Sequence, residues 1–205
     1  IYPLLIKSFG SLQDKTILDL GCGNGSLIFK LLNKKFNRIY GIDISDKFID
    51  FGKRNIKDKR VKFIKQDIRK RLPFNNNYFD VIYSVFVFNE VYNIKKTCNE
   101  ISRVLKKEGK FFLLTIHPFY PIKFYLYEKF TGKKNNKINN VKGYFDKFKG
   151  EYNLTIAKDK LPFYHHTVDE LLNTLIKNKL KIKEIKELST NKELISNYQR
   201  YLEEK

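Results

Sequence analysis

The sequence predicts an α/β protein with a doubly wound, mostly parallel sheet. From residue 16 to residue 116, short apolar runs of strand length alternate with segments whose apolar residues recur at helical spacing. The run Phe79–Phe88 (FDVIYSVFVF) is almost entirely apolar, as expected of a strand that is covered on both faces. Strands that alternate with helices in this way are typical of a parallel sheet with helices on both sides.

Five strands and three helices are expected in this region, each from its own apolar pattern. The predicted strands are Thr16–Leu20, Arg38–Ile44, Val61–Gln66, Phe79–Phe88 and Lys110–Ile116. The predicted helices are Ser26–Leu32, Asp46–Asn55 with Ser45 as its N-cap, and a third with Ile94, Cys98, Ile101 and Leu105 on one face. The third helix is expected to end at Gly109, because helix C-termini favour glycine.

The alternation is interrupted between Pro118 and Pro162. This stretch is rich in aromatic residues and then in Lys and Asn, and a hairpin is expected at Gly143–Ile156. Connections of this length are usually functional or mobile. We therefore predict that residues 118–162, inserted after the fifth strand, form a lid.

Regular structure is expected to resume after the insert. Thr167 and Glu170 form a capping box at the start of a helix. The alternating segment Leu180–Leu188 (LKIKEIKEL) predicts a strand with one exposed face. We interpret the chain as one domain with three parts, namely a cofactor-binding core (1–117), the lid insert (118–162), and a C-terminal helix, strand and tail (163–205).

Composition narrows the classes of partner. The formal charge is +19, but 34 of the 41 basic residues are Lys and 7 are Arg. Because nucleic-acid readers favour the bidentate Arg side chain, a nucleic-acid partner is an alternative that we do not favour. Cys22 and Cys98 are too few for a disulfide framework and lack metal-ligand spacing, so we expect no metal and a cytoplasmic setting. No apolar run approaches the ~18 residues that span a bilayer.

The strongest motif is the loop Asp19-Leu20-Gly21-Cys22-Gly23-Asn24-Gly25, between the first strand and the first helix. Open α/β sheets bind ligands at this edge, and glycines let the backbone approach a ligand closely. The spacing is G-x-G-x-G, whereas dinucleotide-binding proteins use G-x-G-x-x-G. Asp19 would repel phosphates but suits a cationic ligand. S-adenosylmethionine, which carries an ammonium and a sulfonium and no phosphate, fits this loop.

Two carboxylates at the ends of later strands extend the predicted site. Asp43 ends the second strand, twenty residues after Gly23, where a carboxylate can accept hydrogen bonds from both ribose hydroxyls. Ile44 directly follows it and is included in the predicted site. Asp67 follows the third strand, where it can accept from the adenine amino group while Ile68 offers its backbone N–H.

Five motifs resemble class I S-adenosylmethionine-dependent methyltransferases in order and spacing: ILDLGCGNGSL, GIDIS, KQDIR, LPFNNNYFDVIYSVFVFNEV and EISRVLKKEGKFFLLTIHPF. The sequence is most similar to the small-molecule branch (methyltransferase type 11), typified by quinone-biosynthesis C-methyltransferases. The resemblance implies a Rossmann-like sheet whose glycine loop holds the methionine portion and whose fourth strand closes the pocket. The complete predicted cofactor site is Asp19, Gly21, Cys22, Gly23, Gly25, Asp43, Ile44, Asp67, Ile68, Ser84 and Val85.

The sequence departs from the family pattern in two places. Asn89-Glu90-Val91 stands where relatives often carry His-His-Val or a similar triplet after the fourth strand. A polar, helical tail is predicted after Leu188, where the seventh, antiparallel strand usually completes the sheet. We therefore expect a sheet that lacks its seventh strand.

The resemblance implies methyl transfer by in-line displacement, for which a protein supplies positioning, and a base only if the acceptor carries a proton. The D/N-P-P-Y/F motif of nucleobase amino-methylation is missing, since that position reads Tyr83–Phe86. We predict a small-molecule acceptor. An RNA or protein methyltransferase and a non-catalytic cofactor-binding domain are the alternatives. The candidate bases are His117, His165, His166, Glu90 and Tyr164, with His165 preferred over His117 because it lies beside the capping box.

Overall fold

The computed structural model describes residues 1–120, 131, 143–145, 149–153 and 160–188. Its centre is a five-stranded sheet in the order β3-β2-β1-β4-β5, in which every neighbouring pair is parallel. The strands are β1 Thr16–Leu20, β2 Arg38–Asp43, β3 Val61–Lys65, β4 Phe79–Val85 and β5 Leu105–Leu114. The predicted doubly wound, parallel sheet is confirmed.

Helices cover both faces of this sheet. In the described residues they are α1 Tyr2–Phe9, α2 Ser26–Leu31, α3 Asp46–Asn55, α4 Ile94–Val104 and α5 Val168–Lys177, with a 3₁₀ turn at Phe88–Glu90. Side chains of α1, α2 and α3 pack with Ile17 of β1 in one buried cluster, here called cluster A. Side chains of α4 and α5 pack with Leu18 of β1 in the other, cluster B. Successive residues of the central strand thus fill opposite layers.

Local capping signals predicted the helix starts correctly. The Ser45 hydroxyl accepts a hydrogen bond from the Phe48 N–H at the start of α3. The Thr167 hydroxyl accepts one from the Glu170 N–H at the start of α5. Helix α1, with Pro3 in its first turn, is not predicted by the sequence patterns.

The predicted end of the third helix at Gly109 is wrong. Helix α4 ends at Val104, and Leu105 already has an extended backbone and pairs with Phe79 of β4. Regular pairing resumes only at Lys110, opposite Val81, so Gly109 lies in an irregularity of β5. With an extended backbone, Leu105 pairs with the sheet and its side chain is buried; in a longer helix this residue could not pair with β4.

The predictions for the C-terminal half are partly corrected. The observed hairpin pairs β6 Lys149–Asn153 with β7 Lys160–Tyr164, later in the chain than Gly143–Ile156. The predicted strand Leu180–Leu188 is wrong, because in the described residues no strand pairs with the outer edge of β5. The expected tail after Leu188, and with it the missing seventh strand, lies outside the described residues. Within the described ranges, no helix is long and apolar enough to cross a membrane.

Candidate active site

The loop between β1 and α2 is folded against the end of β2. The backbone N–H groups of Gly21 and Cys22 both donate to the carbonyl oxygen of Ile42, each at 2.9 Å. Gly21, Gly23 and Gly25 all have positive φ angles, of 80°, 51° and 81°. Residues with a Cβ atom rarely adopt this region. The backbone path of the loop therefore accounts for all three glycines.

The space beside each glycine differs. A Cβ atom at Gly21 would lie 2.4 Å from a methyl carbon of Val87, and one at Gly25 would lie 2.9 Å from the Phe63 ring. A Cβ atom at Gly23 would meet nothing within 4 Å. Packing therefore closes the loop at Gly21 and Gly25, whereas its surface at Gly23 is open to a ligand.

This difference predicts unequal costs for two matched substitutions. Gly21→Ala is expected to destabilise the protein by about 3 kcal/mol, because the strain of a left-handed alanine adds to overpacking against Val87. Gly23→Ala should cost only about 1 kcal/mol, since it meets the backbone strain alone. Thermal or urea unfolding measures both. Equal losses in the two variants would contradict the packing argument.

Asp43 joins the glycine loop to the end of β2. Its Oδ2 accepts from the Gly23 N–H and its Oδ1 from the Ser45 N–H, both at 2.9 Å. Each carboxylate oxygen has two lone pairs, so Asp43 can hold the loop and still accept from a ligand. Ile44, directly after it, is 55% exposed and offers an apolar surface beside this carboxylate.

Asp19 is buried in β1 close to the loop, with 3% of its surface exposed. Burial raises the pKa of its carboxyl to about 8. The buried Tyr83 hydroxyl faces the carboxyl and opposes this shift, without a hydrogen bond of normal geometry. Within the described residues, no ion pair involves Asp19. A buried carboxyl with these surroundings is complementary to a cationic group of a ligand.

Asp67 and Ile68 follow β3 at the same edge of the sheet. Both oxygens of Asp67 accept from the Arg69 guanidinium at 2.9 Å, and this pairing lowers the pKa of the carboxyl. Ile68 is buried in cluster B, and its carbonyl accepts from the Thr97 hydroxyl at 3.3 Å. A ligand that binds Asp67 must therefore share this carboxylate with Arg69.

Ser84 and Val85 end β4 beside the glycine loop. The fully buried Ser84 hydroxyl donates to the Leu20 carbonyl at 2.9 Å, and half-buried Val85 packs against cluster A. Ser84 thus supports the loop by donating a hydrogen bond to the backbone that leads into it. The Cys22 thiol is buried, and burial raises its pKa, so it is a packing residue without thiolate reactivity.

His117 follows β5, and both of its ring nitrogens are engaged. Nδ1 accepts from the Phe119 N–H at 3.1 Å, and Nε2 lies 3.1 Å from a carboxylate oxygen of Glu187. A nitrogen that accepts from a backbone N–H is unprotonated, so the proton is on Nε2 and is donated to Glu187. In this arrangement His117 has no nitrogen left to remove a proton from a substrate.

His165 and His166 join β7 to α5, and both are buried. Nε2 of His165 donates to the Tyr144 carbonyl at 2.7 Å, and Nε2 of His166 donates to the Val91 carbonyl at 2.8 Å. Burial lowers the pKa of His165 below its ordinary value. Its ring is therefore neutral at neutral pH, with the lone pair on Nδ1.

The turn after β4 connects these elements. Asn89 is buried, and its Oδ1 accepts from the Thr115 hydroxyl at 2.7 Å and from the Ile116 N–H at 3.3 Å. Asn89, which stands where the family triplet was expected, thus ties the end of β4 to the end of β5. His166 fastens the β7–α5 junction to Val91 in the same region.

The β6–β7 hairpin lies against this turn. The Tyr164 ring packs edge-on against Tyr92, with centroids 5.4 Å apart, and Lys149 Nζ lies 5.9 Å from the Tyr164 centroid. Glu90 is half-buried in the 3₁₀ turn. The structure therefore brings the candidate bases Glu90, Tyr164, His165 and His166 to one region at the carboxyl edge of the sheet.

Sequence reasoning missed two tyrosines near the glycine loop. Tyr83 pairs directly with Asp19 across β1 and β4, which places their side chains on the same side of the sheet. The Tyr2 hydroxyl of α1 lies 3.3 Å from Ser26 Oγ. Only the parallel pairing of the two central strands could have indicated Tyr83.

The described residues contain no group of three or more His, Cys, Asp or Glu side chains that could hold a metal.

A doubly wound sheet with a glycine loop and a carboxylate after β2 defines a protein that binds a nucleoside cofactor at its carboxyl edge. Residues 18–113 match the family model described as "Methyltransferase domain". An uncharacterized protein of Methanocaldococcus jannaschii is 32% identical over 193 residues, which cover 86% of this chain and 79% of the relative. The chain belongs to the class I S-adenosylmethionine-dependent methyltransferases, as predicted, and its cofactor is S-adenosylmethionine.

Other relatives agree with this assignment. A demethylmenaquinone methyltransferase of Leptospira interrogans is 34% identical over 105 residues, which are 49% of this chain and 42% of that protein. The crystal structure of an S-adenosylmethionine-dependent methyltransferase from Mesorhizobium loti has a TM-score of 0.77 and 21% identity. It covers 98% of this chain and 90% of its own, which shows that the fold is shared.

Proposed function

We propose that this protein methylates a small aromatic acceptor of the quinol type. The observation that carries the proposal is the set of exposed aromatic side chains at the carboxyl edge of the sheet, where the cofactor loop also lies. They follow β4, the 3₁₀ turn and β5, and they are Phe86, Tyr92, Phe119 and Tyr120. Aromatic side chains offer large flat surfaces for stacking a planar, apolar ring.

The relatives support the same class of acceptor. The Leptospira interrogans relative is a demethylmenaquinone methyltransferase, and a 2-phytyl-1,4-naphtoquinone methyltransferase of Trichormus variabilis is 28% identical over 56% of this chain. The regions of similarity span about half of each of these relatives. Because each match covers only about half of this chain and about half of the relative, these relatives support the chemistry more than the identity of the ring.

The residues of the site fit the cofactor. The buried Asp19 carboxyl would accept the ammonium of the methionine portion, and the open surface at Gly23 leaves room for it. Asp43 would accept from the ribose hydroxyls, with Ile44 packing beside it, while Asp67 and Ile68 would hold the adenine. When bound, S-adenosylmethionine supplies a methyl group that is already activated by its sulfonium.

The protein then has to orient the acceptor, exclude water and remove one proton from a hydroxyl or ring carbon. Of the histidines, His165 suits proton removal, because its buried ring is neutral and the hydrogen bond from its Nε2–H to the Tyr144 carbonyl fixes its tautomer and orientation. His117 does not, because its Nδ1 accepts from the Phe119 N–H. The β6–β7 hairpin, fastened by His166, supports a role as part of a lid over this edge.

Transfer of a radiolabelled methyl group from the cofactor tests the proposal. We expect label to enter a demethylated naphthoquinol, in the presence of a reductant, and not to enter RNA or a peptide mixture. Asp43→Asn should weaken cofactor binding by about 1.5 kcal/mol, since one charge-assisted acceptor is lost. Label in RNA, lost steeply as salt is raised, would instead favour a function of the basic surface. Cofactor binding without transfer to any acceptor would favour a non-catalytic domain.

A further inference from the structure

Helix α1 covers one side of the glycine loop. Phe9, at its end, is buried and stacks on Tyr83 with ring centroids 5.2 Å apart. The half-buried side chains of Tyr2, Leu5 and Ile6 pack against cluster A along the same helix. Helix α1 is thus fixed on Tyr83, the tyrosine whose hydroxyl faces the carboxyl of Asp19.

Two hydroxyl groups meet where α1 reaches the loop. The Tyr2 hydroxyl lies 3.3 Å from Ser26 Oγ, and Ser26 directly follows the last glycine of the loop. Burial raises the pKa of Tyr83, the Asp19 carboxyl adds to this shift and Tyr2 adds a smaller part, so the Tyr2 hydroxyl is within electrostatic range of the Asp19–Tyr83 pair. The glycine loop is therefore bordered by two hydroxyl donors, those of Tyr2 and Ser26, and by the buried Asp19 carboxyl that precedes it.

This arrangement is complementary to an amino-acid zwitterion. An ammonium requires an acceptor, which Asp19 supplies, and a carboxylate requires donors, which hydroxyl groups supply. In the structure the Tyr2 and Ser26 hydroxyls are within hydrogen-bond distance of each other, and each carries one O–H proton that it can donate to a carboxylate.

We propose that Tyr2 is a positioning residue that, together with Ser26, donates to the carboxylate of the methionine portion of the cofactor. The inference rests on the proposed place of that portion above Asp19. It assigns α1 a role in selecting cofactors that keep their amino-acid end. The methyl group is positioned when both charged ends of the methionine portion are held.

Two ligands separate this role from a structural one. S-adenosylhomocysteine carries the amino-acid end, whereas 5′-methylthioadenosine has the same nucleoside and thioether without it. We expect Tyr2→Phe to weaken binding of S-adenosylhomocysteine about tenfold, which corresponds to about 1.4 kcal/mol. Binding of 5′-methylthioadenosine should be unchanged. Tyr78→Phe is the matched control. Tyr78 lies just before β4, at the edge of the sheet opposite the glycine loop, and its hydroxyl pairs with that of Tyr40.

Isothermal calorimetry measures the affinity of both ligands for the parent, Tyr2→Phe, Ser26→Ala and Tyr78→Phe, and so tests the role of Tyr2. Losses confined to S-adenosylhomocysteine in the first two variants support the inference. Equal losses for both ligands would mean that Tyr2 only shapes the loop, and unchanged binding of both would remove it from the site. If the parent discriminates between the ligands and Asp19→Asn abolishes that preference, the proposed site stands even where the role of Tyr2 fails.

Discussion

Replacing His165 with alanine is expected to lower turnover by about 10²–10⁴, the usual contribution of a general base, while cofactor affinity stays the same. The physical reason is the fixed tautomer: the Tyr144 carbonyl holds the proton on Nε2 and leaves the lone pair on Nδ1. Initial rates of label transfer give turnover, and calorimetry with S-adenosylhomocysteine gives affinity. A variant that turns over like the parent would show that catalysis depends on proximity alone.

The pH dependence of the same reaction provides a second test of His165. Burial lowers the pKa of this imidazole, so the neutral, basic form persists at pH values below the ordinary histidine value of ~6.5. Turnover of the parent should therefore remain constant as the pH falls through about 6.5 and decline only at more acidic pH. His117→Ala is the control, since His117 has both nitrogens engaged by Phe119 and Glu187 and should retain turnover.

The parts of the fold that could be predicted from sequence are those specified by neighbouring residues. The apolar runs of β1 to β4 and the caps at Ser45 and Thr167 depend on local spacing, and all of them appear in the structure. The glycine loop could also be predicted, because its positive φ angles demand glycine wherever the loop occurs.

The incorrect predictions concern elements that depend on distant partners. The segment Leu180–Leu188 alternates as a strand does, but alternation forms a strand only where another backbone supplies hydrogen bonds. Helix α4 stops before Gly109 because Leu105 pairs with Phe79, which lies 26 residues earlier in the chain. The local sequence shows neither whether another backbone is available to pair with Leu180–Leu188 nor that Leu105 pairs with Phe79.

The same distinction between local spacing and distant packing applies to the residues of the candidate site. Asp19 and Asp43 could be found because they stand at fixed distances from the glycines, and Asp43 does contact the loop at Gly23. Tyr2 and Tyr83 could not, because only the packing of α1 and the pairing of β1 with β4 bring them to the loop. His117 was placed at the correct edge, but its two hydrogen bonds depend on Phe119 and Glu187.

Asp19→Asn is expected to stabilise the ligand-free protein at alkaline pH and to weaken cofactor binding at the same time. The folded pKa of Asp19 is raised by burial to about 8, from 3.8 for the ordinary carboxyl. Between these values the folded protein keeps a proton that the unfolded chain releases. The free energy of unfolding therefore falls as the pH rises from about 4 to about 8, by about 1.4 kcal/mol per unit of the pKa difference at most.

Asparagine has nearly the same shape and no charge to bury. Above about pH 8 the variant should thus be more stable than the parent by on the order of 3 kcal/mol, and the difference should shrink toward about pH 4. Thermal unfolding across this pH range measures the effect. Asp80→Asn is a control of opposite sign, because the Thr16 N–H, Lys106 and Lys15 outweigh burial and lower the pKa of Asp80. Its carboxylate stabilises the fold above the ordinary carboxyl pKa and loses that effect in acid.

The loss of binding follows from the same buried charge. In the parent, an ammonium placed beside Asp19 would favour the ionised carboxylate, so binding of S-adenosylhomocysteine should release a proton and strengthen as the pH rises toward about 8. In Asp19→Asn the affinity should be at least about tenfold lower near pH 8 and nearly independent of pH, since no ion pair forms. Calorimetry in buffers of different ionisation enthalpy counts the released proton. A variant that gains stability but binds the cofactor as tightly as the parent would show that Asp19 does not meet the ammonium, and that its burial serves only the packing of β1 against Tyr83.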